Sequence, residues 1–81
     1  MKTFDEHLGE VVREVLDMNG IEIKGMCDDL WLSRASVYGH LKGKNRWPVE
    51  ELVKIADYID LPAGDLIEEA KRREGEEISS G

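Results

Sequence analysis

Short helical stretches separated by close-set stops constrain this 81-residue chain more than any other feature of its sequence. Phe4, Leu8, Val11, Val12, Val15, Leu16 and Met18 recur at the spacing of one helix face, and Asp5, Glu6 and Glu10 suit the positive end of the helix dipole. Asn19-Gly20 stops that helix, because both residues tolerate the left-handed backbone of a C-terminal cap. A second helix is expected over residues 22–30, burying Ile23, Met26, Cys27 and Leu30. Ser33 suits an N-cap, its hydroxyl placed to accept the backbone N–H of Ala35 or Ser36, and a third helix runs from 34 to 42 and closes at Gly43. Trp47-Pro48 opens a fourth helix, with Glu50 and Glu51 in its first turn and Val49, Leu52, Val53, Ile55, Ala56 and Ile59 as its apolar set. Leu61-Pro62 breaks it, and a fifth helix from about 63 to 73 buries Leu66, Ile67 and Ala70. No stretch alternates as a strand does, and nothing repeats. The expected fold is all-α, a compact five-helix domain over residues 1–73, followed by a flexible acidic tail, residues 74–81, whose EGEEISSG lacks periodicity. The second and third helices are joined by only three or four residues, the spacing of a helix-turn-helix unit.

A chain this short has too small a core for a large enclosed active site. It is 41% apolar and 36% charged, a globular composition. No apolar run approaches the ~20 residues that span a bilayer, and MKTFDEHLGE is too acidic for a signal peptide, so a cytoplasmic location is expected. Cys27 is single and reads as a small core residue, and one Cys with two His gives no metal spacing. Ser36 and His40 stand four apart but lack an orienting acid and a pocket. No enzyme, metal or cofactor is expected.

Charge is distributed unevenly. The net charge is −7, yet residues 30–49 contain no Asp or Glu and carry Arg34, Lys42, Lys44 and Arg46. Residues 50–81 hold ten acids against four basic residues. One basic edge with acidic flanks can bind a polyanion in a single orientation. On a helical wheel, Val37 and Leu41 lie about 40° apart and form the buried line of the third helix, with Arg34 and His40 beside it. The opposite face carries Ala35, Ser36, Tyr38, Gly39 and Lys42. Gly39 costs about 1 kcal/mol relative to Ala in a helix, and close approach of another surface accounts for it. A DNA major groove admits a helix and displays hydrogen-bonding base edges. Arg34, Ser36 and Tyr38 suit that contact, and Lys42, Lys44, Asn45 and Arg46 suit phosphates. His40 reads as a packed residue with one satisfied nitrogen, and Trp31 and Trp47 read as lids on the core.

LSRASVYGHLKG, with Leu32, Ser33, Val37 and Gly43 in their places, resembles the turn and recognition helix of the lambda-repressor-like (Cro/CI-type, XRE-type) helix-turn-helix family. NGIEIKGMCDDL is similar to that family's first motif helix, with Cys27 where Ala is usual, and RWPVEELVKIADYIDLPAGDLIE to its closing segment. The resemblance covers roughly residues 8–70. It implies a regulator of phage or prokaryotic type that binds double-stranded DNA, and a homodimer or an additional C-terminal domain, since one unit reads about one half-site. Three departures carry expectations. Trp31 stands where the family's turn usually has Gly, so the turn is reshaped or the second helix runs longer. Leu16 and Leu41 replace a buried Arg–Glu pair. Ile23 replaces a phosphate-holding polar residue, a role that passes to Lys24.

Two functions follow. One is a sequence-specific transcriptional regulator, repressor or Cro-like, with residues 34–42 in the major groove. The other is a protein-interaction module on the same fold, an antirepressor or DNA mimic. A mimic spreads acids over its presented face, and this face has none.

Overall fold

The computed structural model describes residues 2–80, with the backbone alone for 78–80. Five helices follow in order: α1 (Phe4–Met18), α2 (Ile23–Leu30), α3 (Arg34–Leu41), α4 (Val49–Tyr58) and α5 (Ala63–Ser80). The described residues contain no strand. α1 opens on a capping box: the Thr3 hydroxyl accepts from the Glu6 N–H, and the Glu6 carboxylate accepts in return from the Thr3 N–H at 3.0 Å.

Four helices end in one device. In each, a residue one or two positions past the helix adopts a left-handed backbone: Gly20 (φ 66°), Trp31 (φ 59°), Gly43 (φ 75°) and Asp60 (φ 59°). The next N–H then reaches back five residues to a carbonyl: Ile21 to Leu16, Leu32 to Cys27, Lys44 to Gly39 and Leu61 to Ala56, at 2.9–3.0 Å. This is the Schellman motif, which satisfies carbonyls left open at a helix end and turns the chain sharply. Glycine is unstrained there, whereas Trp31 and Asp60 are held against a left-handed preference costing about 1–2 kcal/mol.

These reversals pack α1 against α5 and α3, α2 against α3 and α4, and α4 against α5. Leu8, Val12 and Leu16 of α1 share one core with Met26 and Cys27 of α2, Val37 and Leu41 of α3, Ile55 of α4 and Leu66 of α5. Leu16 and Leu41 are both buried, an apolar pair in the place expected for it.

The structure corrects the sequence reading at several points. α5 does not stop near Arg73 but continues to Ser80. Its last turns lack an apolar stripe and are held by ions. Arg72 pairs with Glu76, Arg73 reaches Glu14 of α1 at 2.6 and 2.9 Å, and Glu77 accepts from the Lys2 backbone N–H at 2.6 Å. His7 Nε2 lies 2.9 Å from the second oxygen of Glu77. Trp31 is not a core lid; its left-handed backbone throws the side chain outward, 94% exposed, and only Trp47 covers the core. The turn is neither reshaped nor delayed, because α2 ends at Leu30 and Trp31 itself takes the conformation that Gly favours. Met18 is also exposed, since α1 has run past the core there.

Candidate nucleic-acid interface

α3 is positioned by what it buries. Val37, His40 and Leu41 face inward, and Ser33 caps the helix by accepting the Ser36 N–H at 3.4 Å. The opposite side is left open: Arg34, Ala35, Ser36, Tyr38 and Lys42 are exposed. The loop after α3 returns along the same side. Lys44 N–H bonds the Gly39 carbonyl at 3.0 Å, and a β-carbon on Gly39 would lie 3.2 Å from Asn45 Nδ2. Lys44, Asn45 and Arg46 are exposed in that loop. The open side of α3 and the loop after it therefore lie together, while Val37, His40, Leu41 and Trp47 of the same stretch are buried.

The close approach that Gly39 serves is made by the chain's own loop. Gly39 is half-buried, with the Asn45 amide beside it, and is not part of the fully open surface. Lys24 stands apart. It is exposed in the first turn of α2, about 9 Å along the helix axis from Leu30 at 1.5 Å per residue. No side chain caps that end of α2.

A buried pair fixes the loop to the scaffold. His40 Nδ1 meets a carboxylate oxygen of Glu51 on α4, and both side chains are buried. The Trp47 ring lies 5.3 Å from the His40 ring, tilted by 39°. His40 thus has one nitrogen satisfied, as its place beside the core suggested. Glu51 was legible only as a first-turn acid. That it turns inward to His40 depends on where the loop after α3 sets the first turn of α4.

At the start of α3, Arg34 Nη2 donates to both oxygens of Asp28, at 2.9 and 3.0 Å. Asp28 was not among the expected site residues. Its signal lay in the turn: with only three residues between helices, the last turn of α2 has to face the first turn of α3. The neighbouring Asp29 is held the other way, accepting from the Tyr58 hydroxyl at 2.6 Å, a bond that raises the Tyr58 pKa.

Two short helices, a three-residue turn closed by Trp31, and a solvent-facing second helix define a helix-turn-helix domain. The chain belongs to the family of Cro/C1-type helix-turn-helix DNA-binding domains, whose model matches residues 11–69. Among solved structures its fold is similar to the crystal structure of the clp gene regulator ClgR from C. glutamicum. The TM-score is 0.80 over 90% of this chain and 95% of that chain, at 16% identity. Comparison with curated proteins gives no match. Among the described residues, no helix is long and apolar enough to cross a membrane.

Proposed function

We propose that the chain binds double-stranded DNA sequence-specifically, with α3 in the major groove, and acts in the cytoplasm as a repressor or Cro-like transcriptional regulator. One observation carries this reading. In a molecule of net charge −7, the exposed side of α3 and its following loop form a continuous face without an acid in its sequence stretch. Such a face turns toward a polyanion, and the acidic remainder turns away. Arg34, Ala35, Ser36 and Tyr38 meet base edges, with Gly39 letting the loop that carries Asn45 lie close against the helix. Ser33, Lys42, Lys44, Asn45 and Arg46 hold phosphates on one side, and Lys24 does so at the start of α2. Pairing as a homodimer, or with a further C-terminal domain, supplies the second half-site. Neither catalysis nor a cofactor enters this role.

The test is a selection from a random duplex pool, followed by affinity measurements at several salt concentrations. Lys44→Ala and Arg46→Ala should each weaken binding to all sequences about equally and lower the salt slope by about one unit. Failure of the parent to bind any duplex would instead favour the protein-interaction role on the same fold.

A further inference from the structure

The contact with Arg34 brings the Asp28 carboxylate to the start of α3. Asp28 stands two positions outside the acid-free stretch in sequence, yet the tight turn places it against Arg34. A carboxylate on a face meant for DNA weakens binding to every duplex, so its presence there asks for a reason. The contact geometry offers one. Asp28 engages a single guanidinium nitrogen, Nη2, with both of its oxygens. Nε and Nη1 have no protein partner among the described residues, so part of the donor fork stays open to a base edge. The side chains are 46% and 58% exposed, so the pair sits at the surface and not in the core. A free arginine at a helix start sweeps many rotamers and reaches any phosphate nearby. One tethered through Nη2 by a carboxylate is kept near the start of the helix and has its charge offset.

We propose that Asp28 is a positioning residue for base recognition: it orients the Arg34 fork toward one base and withholds it from the phosphates. The base chemistry it suits is guanine, whose O6 and N7 accept two parallel N–H donors. Asp28 thereby gives up general affinity and gains discrimination. This inference rests on the DNA-binding role above and deepens it.

The experiment runs the random-duplex selection and a salt titration on the full chain and three variants: Asp28→Asn, Arg34→Ala and the double substitution. Thermal unfolding of each confirms that the exposed changes leave the fold intact. For Asp28→Asn, three changes are expected together. Preference at one base position falls by roughly tenfold, on the scale of one bidentate base contact. Binding to unselected duplex tightens, and its salt slope steepens by about one unit as Arg34 is released to phosphate. Arg34→Ala should lose preference at the same position, and adding Asp28→Asn to it should change that preference no further. If Asp28→Asn tightens binding while keeping the full base profile, Asp28 is only a charge brake and the positioning role is overturned. If Arg34→Ala keeps the base profile, the inference falls while DNA binding stands. If the parent binds no duplex at all, the DNA-binding role fails and takes the inference with it.

Discussion

Gly9 of α1 lies directly against the main chain at the end of α3: a β-carbon there would sit 2.2 Å from the carbonyl oxygen of Leu41 and 2.8 Å from its carbon. Those atoms are backbone and cannot swing aside. α3 is therefore seated on α1 at bare-backbone distance, and its tilt is set by the absence of one methyl group.

Gly9→Ala should accordingly destabilise the domain by about 2–3 kcal/mol, the cost of overpacking, even though Ala is favoured by about 1 kcal/mol in a helix interior. Urea unfolding measures it. A variant as stable as the parent would mean that α1 and α3 do not approach this closely.

Trp31→Gly should act in the opposite direction. It relieves a left-handed backbone that costs a non-glycine residue about 1–2 kcal/mol and removes an almost fully exposed indole. Gly loses more entropy on folding, which returns part of the gain. A net rise of about 1 kcal/mol is expected, or roughly 4–8 °C in Tm for a domain of this size. An unchanged or lower Tm would show that the indole stabilises the fold.

Glu51→Ala should leave His40 buried without its partner, at about 1–3 kcal/mol. Because the pair ties α4 to the end of α3, the loop bearing Lys44 and Arg46 should also loosen, visible as faster amide exchange over residues 42–46. Stability lost without any change in that loop's exchange would separate the pair from the loop.

Acid should weaken the junction of α5 with α1. Hydrogen bonds from Arg72 and then Arg73 hold the Glu69 carboxyl down at about 2, and Arg73 lowers Glu14. A depressed carboxylate contributes stability that is present above its unfolded value near 4.5 and is lost as pH falls through the folded one. Stability should fall between about pH 4.5 and 2, and Glu69→Gln should flatten that limb. High salt should flatten it as well, since these pairs lie at or near the surface. A Glu69→Gln profile that matches the parent's would remove the pairing from the account.

The fold was largely legible because α1 to α4 each carry a local signature: an apolar stripe at helical spacing and a recognisable stop. What escaped was demanded from far along the chain. Nothing near Gly9 announces the Leu41 carbonyl thirty-two positions away. The end of α5 depends on Lys2, His7 and Glu14, so its own polar sequence looked like a tail. Trp31 misled because hydrophobicity points inward while the left-handed end of α2 points outward, and backbone geometry decided. Of the candidate site, the exposed face of α3 could be drawn on a wheel from the spacing of Val37 and Leu41. The Asp28–Arg34 contact could not, since it crosses the turn.

The two indoles, one 94% exposed in the turn and one 8% exposed under the loop, form a natural pair of optical reporters. A collisional quencher in solution reaches Trp31 and spares Trp47, so their emissions separate without any label. Unfolding exposes Trp47, whereas anything that settles over the turn shields Trp31 while the molecule stays folded. Occupancy of the α2–α3 edge and integrity of the core can thus be followed independently, in one cuvette, on the unmodified chain.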